Sequence, residues 1–355
     1  MKVNDKIELN FMLDTGFTQD IFTLAHSELV EELGLKLEGD PIPIRGGIGN
    51  QKITQIYMLK GLKFTHGNIK FENQNIMLID ESRKESYINF DGAVGSLIFK
   101  NYTVEIDFDN SMLNLYELGS YKPEGEWTEI PLILKNNAVG VNTRLNIIGG
   151  EEIPIFQIID TGGRPNVLLF KKSSQNIMPP ENSIHTLVGI GVRGEVFGDV
   201  GRIQDLTFGP FVIKSIPTLF ISINENPGLS RLCDGILGLG ILYRFNQVYD
   251  YANKRLYVKP NKYFSDPFDL NMAGLYINEK HNGDKFIVHV DDNSPGSEKG
   301  LRKGDKIISI NGKNAADYNP YEAHKIFTQE GKTLKLIIER DSNRIEVNIK
   351  LKRIL

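Results

Sequence analysis

The chain has 355 residues, a formal net charge of −4 and a single cysteine, Cys233. This charge lacks the basic surplus of nucleic-acid-binding proteins, and one cysteine excludes an intrachain disulfide, so packing must stabilise the fold. No apolar run is long enough to cross a bilayer, and the six histidines lack metal-ligand spacing, so we expect no nucleic-acid partner, no membrane span and no cofactor. The length suggests two or three domains.

The first part of the chain, residues 1–119, is predicted to consist mainly of strands. Alternating apolar residues predict strands at 53–59, 69–71 and 76–79, the last more fully buried. Residues 20–34 predict a helix that stops at Gly34. The glycine-rich run 45–50 predicts a hairpin tip, and a short helix is predicted to begin at Leu97.

The second part, residues 120–262, begins with a predicted strand pair at 127–134 and 138–141. The first part has no counterpart of this pair, so we expect about 20 further residues, and any export signal, to precede Met1 in the full reading frame. The run 188–194 has the Gly-x-Gly-x-x-Gly spacing of dinucleotide-binding loops, which requires a helix directly afterwards. The residues that follow are glycine-broken and strand-like, which favours a hairpin tip instead.

The pattern changes near residue 263. Residues 265–267 are predicted to be a linker. Beyond it the sequence predicts a small α+β module, with strands at 274–277, 286–290, 333–339 and 344–351 and a helix at 320–327.

One pattern occurs twice. An apolar run leads into Asp14-Thr15-Gly16, and another leads into Asp160-Thr161-Gly162. Each is followed, at nearly the same spacing, by an Asp-Gly-apolar-apolar-Gly run, at 91–95 and 234–238, and then by two strands. The order of these features indicates an internal duplication that produces two similar lobes.

The repeated aspartates have a clear chemical use. Two carboxylates held face to face share one proton and titrate as a unit. The ionised member can take a proton from water, while the neutral member hydrogen-bonds a carbonyl oxygen. Glycine after threonine lets backbone N–H groups approach the carboxylates, and the threonine hydroxyls can bond across to the opposite loop.

These features resemble the pepsin/retropepsin class of aspartic proteases, on the two Asp-Thr-Gly tripeptides and the later runs 93–95 and 236–238. The chain looks most like bacterial aspartyl proteases with two retropepsin-like lobes and a C-terminal PDZ domain, because 300–312 also resembles bacterial PDZ domains. The resemblance implies a mainly β fold: two duplicated β-barrel lobes related by a pseudo-twofold axis, at 1–119 and 120–262, and a small α+β PDZ-like domain at 263–355. It also implies export to the bacterial periplasm or cell surface.

The resemblance implies an aspartic endopeptidase that cleaves extended polypeptides, with Asp14 and Asp160 as the catalytic pair. A peptide or protein is the implied partner, and two lobes in one chain make dimerisation unnecessary for the dyad. The other implied site residues are the supporting Thr15, Gly16, Thr161 and Gly162, the flap residues Gly46, Gly47, Ile48, Gly49, Gly189, Ile190 and Gly191, and the PDZ peptide-binding residues Leu275, Tyr276 and Ile277.

The chain departs from the family at two positions beside the dyad. Phe17 and Gly163 stand where the family has alanine, serine or threonine, so neither lobe offers a hydroxyl there, and Phe17 could crowd the site. Ile48 and Ile190 occupy the flap tips, where pepsin has a tyrosine in one flap. These departures motivate a second hypothesis, a catalytically silent peptide-binding or scaffold protein on a protease-derived fold.

The remaining acidic residues and the cysteine are expected to be structural. Asp91 and Asp234 are interpreted as turn or cap residues, and Asp107 and Asp250 as strand-end residues. Cys233 is expected to be a small buried residue rather than a nucleophile. A serine protease is disfavoured because the sequence contains no Gly-x-Ser-Gly-Gly.

Overall fold

Apolar and β-branched runs fold mainly into strands in the computed structural model, which describes residues 1–37, 39–43, 53–83, 86, 88–172, 176–191 and 194–355. The chain divides into two units, which are described separately. The first comprises residues 1–25, 29–80 and 91–268, and the second comprises 26–28, 81–90 and 269–355. The domain boundaries expected from the sequence stay a prediction. No helix in the described part of the chain has the length and apolar character that a membrane span needs.

The first lobe contains two short helices and ten strands among its described residues. They are β1 (Lys2–Val3), β2 (Ile7–Glu8), β3 (Phe11–Leu13), β4 (Phe22–Leu24), α1 (Leu29–Leu33), β5 (Ile42–Pro43), β6 (Gln55–His66), β7 (Ile69–Ile79), β8 (Gly92–Val94), α2 (Ser96–Asn101), β9 (Thr103–Asp107) and β10 (Met112–Tyr116). The main sheet has the order β2-β1-β6-β7-β4-β8-β3, with β5 paired to β6.

The second lobe repeats this arrangement with longer strands. Its elements are β11 (Thr128–Pro131), β12 (Ile133–Lys135), β13 (Ala138–Asn146), β14 (Ile153–Asp160), β15 (Val167–Phe170), β16 (Ile184–Gly191), β17 (Gly194–Phe208), β18 (Phe211–Ile221), α3 (Pro227–Leu232), β19 (Gly235–Gly238), α4 (Leu239–Leu242), β20 (Phe245–Asp250) and β21 (Arg255–Pro260). The main sheet has the order β12-β13-β14-β19-β15-β18-β17-β16.

The strand pairings of the two lobes match in type as well as in order. β3 pairs with β8 in parallel, as β14 does with β19, and β4 pairs with β7 in parallel, as β15 does with β18. β4 lies antiparallel to β8, as β15 does to β19. A separate five-stranded sheet, ordered β10-β9-β20-β21-β11, combines strands of both lobes. The duplication inferred from the sequence is therefore a duplication of topology.

The helix predicted over 20–34 is wrong in its first half. Residues Phe22–Leu24 form strand β4, and only Leu29–Leu33 is helical. Phe22 is fully buried and stacks on Phe64, with ring centroids 3.9 Å apart. Tertiary pairing with β7 and β8 overrides a local pattern that suits a helix. Gly34 does end the helix as predicted, at a φ of +67° that glycine adopts without strain.

The strand pair predicted ahead of Asp160 is divided between two sheets. β11 pairs with β21 in the five-stranded sheet, whereas β12 and β13 form the hairpin that lies beside β14 in the main sheet. The strands predicted at 69–71 and 76–79 are one continuous strand, β7. The short helix predicted at Leu97 is confirmed as α2.

The predicted linker around 265–267 is held by a buried arginine. Arg244 is only 5% exposed, and its guanidinium donates to the carbonyl oxygens of Tyr263 at 3.1 Å, of Phe264 at 3.3 Å and of Asp266. The guanidinium also lies 3.7 Å from the ring centroid of Phe268. A planar, always-charged group with five donors suits this role, because it can satisfy several carbonyl groups of one irregular segment.

The second unit is built mainly from residues 269–355. Its elements in that range are β22 (Leu275–Glu279), β23 (Lys285–Val290), α5 (Pro295–Glu298), β24 (Lys306–Ile310), β25 (Lys313–Asn314), a 3-10 turn (Ala315–Asp317), α6 (Pro320–Ile326), β26 (Thr333–Arg340) and β27 (Asn343–Lys350). The sheet has the order β22-β23-β24-β26-β27. Its core is apolar, with Ile287, Leu336 and Ile338 fully buried. The predicted α+β module is confirmed.

Candidate active site

The two Asp-Thr-Gly loops begin at equivalent points of the two lobes, where an apolar strand meets its parallel neighbour. Asp14 follows β3, and its N–H donates to the carbonyl oxygen of Val94 in β8 at 2.9 Å. Asp160 ends β14 and is in register with Gly238 of β19. Each aspartate is therefore fixed by a strand pair of its own lobe.

The two loops are joined by reciprocal hydrogen bonds between the threonines. The N–H of Thr15 donates to Oγ1 of Thr161 at 3.0 Å, and the N–H of Thr161 donates to Oγ1 of Thr15 at 3.0 Å. The Thr15 hydroxyl donates to the carbonyl oxygen of Ile159 and the Thr161 hydroxyl to that of Leu13, both at 2.8 Å. Both threonines are buried. The predicted cross-bonding is confirmed, and its reciprocity shows the pseudo-twofold relation of the loops.

Glycine after each threonine lets the opposite carboxyl group approach the backbone. A Cβ atom on Gly162 would lie 2.5 Å from Cγ of Asp14, and one on Gly16 would lie 2.8 Å from Cγ of Asp160. The space for each side chain is therefore already occupied by the carboxyl of the other lobe. Oδ1 of Asp14 accepts from the N–H of Gly16 at 2.7 Å. Oδ1 of Asp160 accepts from the N–H of Gly163, also at 2.7 Å.

The carboxyl groups of Asp14 and Asp160 lie close enough for each to shift the pKa of the other. Burial, reinforced by the negative charge of Asp160, raises the pKa of Asp14 from its ordinary 3.8 to about 7. Burial also raises the pKa of Asp160. Two carboxyls this close cannot both ionise cheaply, so near neutral pH the pair holds one proton between them.

Two buried tyrosines that the sequence did not single out lie near the dyad. Tyr249 and Tyr251 belong to β20 and the turn after it. Burial raises the pKa of both phenols, and the charge of Asp14 adds to the rise for Tyr251. The Tyr249 hydroxyl donates to Oε1 of Gln247, and the Tyr251 ring stacks on Phe99 at 5.1 Å. These phenols stay neutral, so they add no charge beside the dyad.

The two departures from the family pattern have different surroundings. Phe17 is half-buried, and its backbone N–H donates to Oδ1 of Asp14 at 3.2 Å. Its carbonyl oxygen accepts from the N–H of Ser96 at 3.0 Å. A Cβ on Gly163 would lie 2.8 Å from Oδ2 of Asp160, so any larger residue there would press on that carboxyl. Backbone N–H groups donate hydrogen bonds to both carboxylates.

The later aspartates are confirmed as structural residues. Oδ2 of Asp91 accepts from the N–H of Asn10, and Oδ2 of Asp234 accepts from that of Phe156, both at 2.9 Å. Asp234 also pairs with Lys172 at 2.9 Å. Each aspartate thus ties its loop to the strand segment that leads to the dyad.

Asp107 and Asp250 close equivalent turns. Each accepts from the backbone N–H of the asparagine three positions later at 3.1 Å and from its side-chain amide at 2.7 Å. Cys233 is 3% exposed, and burial raises the pKa of its thiol to about 11, so the predicted structural role is confirmed.

Of the predicted flap residues, the structure places only those of the second lobe. Gly46, Gly47, Ile48 and Gly49 lie outside the described residues. Gly189, Ile190 and Gly191 end strand β16, which pairs with β17 up to Gly191 and Gly194 and has an irregularity between Leu187 and Gly189. No helix follows: the strand β17 begins at Gly194, which excludes the dinucleotide-loop interpretation.

The predicted peptide-binding residues of the second unit lie on the edge strand β22. Leu275 is buried in the core of that unit, whereas Tyr276 and Ile277 are half-buried. The pairing of β22 with β23 is irregular between Tyr276 and Ile277. Gly274, directly before the strand, has a φ of +66°. Within the described residues the outer edge of β22 is unpaired, as strand addition by a peptide requires.

A substitution at Gly162 tests how closely the carboxyls are packed. We expect Gly162→Ala to displace the Asp14 carboxyl, since that group is held by two backbone N–H groups and cannot swing away cheaply. Any peptide cleavage should fall about tenfold to a hundredfold, as for other small misplacements of reacting groups. Gly150→Ala is the matched control, because its new methyl group would meet nothing closer than 4.0 Å. Equal activity of the two variants would contradict the packing described.

Comparisons with known families agree with this architecture at both ends of the chain. Residues 1–96 match a family described as aspartyl protease, and residues 271–351 match a family described as PDZ domain. The chain is thus similar to aspartyl proteases in its first 96 residues and to PDZ domains near its C-terminal end.

Individual relatives cover different parts of the chain. A stretch of 56 residues, 16% of this chain, is 43% identical to syntenin-1 from Homo sapiens and from Mus musculus. The chain spans only 18% of the length of these curated relatives. The crystal structure of an aspartic proteinase from Irpex lacteus aligns with 73% of this chain and 92% of its own, at 15% identity and a TM-score of 0.41.

Proposed function

We propose that the protein is an aspartic endopeptidase that hydrolyses peptide bonds of extended polypeptides. The observation that carries the proposal is the pair of half-buried carboxyls of Asp14 and Asp160. Each packs against the glycine of the opposite loop, the loops are joined by the threonine cross-link, and both carboxyls are raised in pKa. A structural ion pair would need a cation, whereas this pair binds a proton. That is the state required for one residue to act as acid while the other acts as base.

The two aspartates have complementary roles in the proposed reaction. Asp160, ionised, removes a proton from a water molecule, whose oxygen bonds to the carbonyl carbon. Asp14, protonated, gives its proton to the carbonyl oxygen, so a neutral tetrahedral diol forms. Collapse of the diol returns a proton to Asp14, and Asp160 transfers its own to the leaving nitrogen as the C–N bond breaks. The dyad ends with the proton it started with.

Two further elements would act on the substrate. The run 46–49, for which the sequence predicts a hairpin tip, and residues 189–191 at the end of β16 would close over an extended peptide and exclude water. The second unit would recruit or present a peptide, which adds as a strand to the outer edge of β22 beside Tyr276 and Ile277. In this proposal the lobes are residues 1–119 and 120–262, and the PDZ-like domain is residues 263–355.

A second candidate function is that of a peptide-binding scaffold, in which the two aspartates do not catalyse cleavage. The observation that favours it is the absence of a hydroxyl at Phe17 and Gly163, so the carboxylates receive only backbone hydrogen bonds on that side. Such a protein would bind extended peptides through the same lobes without cleaving them.

A pair of peptide analogues distinguishes the two candidates. Unstructured peptides are incubated with the full chain between pH 4 and pH 8, and products are identified by mass spectrometry. Two analogues of a cleaved peptide are then compared, one with a carbinol and one with a methylene in place of the scissile carbonyl. The carbinol analogue should bind at least about a hundredfold tighter, because the carbinol imitates the tetrahedral state. A scaffold would cleave no peptide in this range and would bind both analogues equally.

A further inference from the structure

The two dyad loops differ in charge shortly after their shared tripeptide. Thr18 lies four positions after Asp14, and Arg164 lies four positions after Asp160, so the duplication makes these two residues equivalent. Thr18 is half-buried and neutral, whereas Arg164 is exposed and carries a positive charge. At this position the second lobe therefore brings a cation near the dyad, and the first lobe does not.

The backbone on both sides of Arg164 is held in place. The carbonyl oxygen of Gly163 accepts from the N–H of Leu239 at 2.8 Å, and that of Pro165 accepts from the N–H of Gly240 at 3.2 Å. Both donors belong to α4, which directly follows β19. The fold therefore fixes the point at which the arginine side chain leaves the loop.

The guanidinium of Arg164 is not used inside the described part of the chain. Among the residues that the structure describes, its side chain forms no hydrogen bond and no ion pair. Arg244 differs, because it is buried and donates to several carbonyl oxygens. The acidic residue of the first-lobe loop, Asp20, is already paired with Lys100 at 2.6 Å. The charge of Arg164 is thus available to a bound ligand.

A carboxylate is the ligand that suits this group. Arginine presents a planar fork of N–H donors, which can form two parallel hydrogen bonds to one carboxylate. Asp160 and Arg164 are four residues apart, so their Cα atoms are separated by at most about 14 Å. An extended peptide rises about 3.3 Å per residue, so an acidic side chain within about four residues of the scissile bond can reach the guanidinium.

We propose that Arg164 selects substrates that carry an aspartate or glutamate within about four residues of the scissile bond. The inference rests on the proposed function, since it assigns a substrate class to the same site. A peptide that crosses the pseudo-twofold axis at the scissile bond presents one half to each lobe. Because Thr18 offers no charge, the acidic residue is selected on one side of the bond only.

Cleavage of matched peptides tests this preference. A set of unstructured peptides is synthesised in which aspartate, asparagine or lysine stands at each position of a common sequence in turn. At one or two positions, all on the same side of the cleaved bond, kcat/KM should be at least about tenfold higher with aspartate than with asparagine. The preference should weaken at high salt, which screens exposed charges.

A charge reversal provides the decisive comparison. Arg164→Glu should reverse the preference, so that lysine is favoured over aspartate at the same positions. Arg231→Glu is the matched control, because Arg231 is also exposed but lies in α3, outside the dyad loops, and this variant should keep the preference of the parent. Cleavage without a preference for aspartate in the parent, or an unchanged preference in Arg164→Glu, would overturn the role of Arg164 and leave the proposed protease intact.

Binding separates that outcome from a failure of the proposed function. The Asp14→Asn variant is titrated with the same peptides carrying a fluorescent label, and aspartate should lower Kd at least about tenfold relative to asparagine. The double variant Asp14→Asn, Arg164→Glu should lose this difference. If the parent cleaves no peptide but the binding difference is found, the protease proposal fails, and selection by Arg164 stands for a peptide-binding protein. Equal binding of the aspartate and asparagine peptides would overturn the inference itself.

Discussion

Replacing either Asp14 or Asp160 by asparagine should abolish peptide cleavage and leave the fold intact. Asparagine keeps the shape of aspartate but can neither hold nor transfer the shared proton. Loss of general acid–base chemistry alone costs about a hundredfold to ten-thousandfold, and here one substitution disables both roles, so we expect a loss near the upper end. Cleavage rates of purified variants, with circular dichroism as the control for folding, provide the measurement. Unimpaired cleavage by either variant would refute the proposed dyad.

The same substitution gives a stability signature that does not depend on activity. The pKa of Asp14 is raised in the folded chain from 3.8 to about 7, so between these values the folded state binds more protons than the unfolded state. Stability must therefore fall as pH rises through this window, with a slope of up to about 1.4 kcal/mol per pH unit for one proton. Below pH 3.8 Asp14 is protonated in both the folded and the unfolded chain, so it no longer lowers the stability of the fold.

Asp14→Asn removes this titration. The difference in melting temperature between the variant and the parent should therefore shift in favour of the variant as pH rises from 4.5 to 8. Cleavage by the parent should decline above pH 7, where the dyad loses its last proton. A difference in melting temperature that is constant with pH would show that Asp14 is not the group that binds the proton.

Removing one threonine hydroxyl from the cross-link should destabilise the folded protein. Thr15→Val keeps the volume but leaves the carbonyl of Ile159 and the N–H of Thr161 without the partners they have now. Two buried polar groups left unsatisfied cost about 2–5 kcal/mol, measurable by urea unfolding. Thr15→Ser keeps the hydroxyl and is the matched control, expected to lose no more than about 1 kcal/mol for one methyl group.

A variant with both threonines replaced tests whether the four hydrogen bonds of the cross-link act as one unit. If they do, Thr15→Val and Thr161→Val combined should destabilise the protein by less than the sum of the single effects, because the first substitution already loosens the second loop. Strict additivity would mean that the two loops are held independently of each other. Cleavage should fall in each variant, since the cross-link sets the spacing of the carboxyls.

The centre of the site was predictable because its determinants are local and repeated. Asp-Thr-Gly behind an apolar run places the aspartate at a strand end, and its recurrence places two such ends in similar lobes. The chemistry of threonine and glycine then predicts the cross-bonds and the close approach of the backbone, both of which the structure shows.

Features that depend on distant partners were not predictable. Phe22 reads as part of a helix until Phe64 and the strands beside it are known. Arg244 is one of many charged residues in the sequence, and only the fold brings several carbonyl groups to its guanidinium. The assignment of β11 to a different sheet from β12 follows from pairing with β21, which lies more than a hundred residues away.

The threonine cross-link also bears on the stage of folding at which the two carboxyls are brought together. Its partners are separated by 146 positions, so the loops meet only after both lobes have acquired their strands. Contacts of such long range form late, because the entropy of closing the intervening chain must be overcome first. A chain still leaving the ribosome, or one with a single folded lobe, has no paired carboxyls. Under the proposed function, an incompletely folded chain should therefore cleave no peptide.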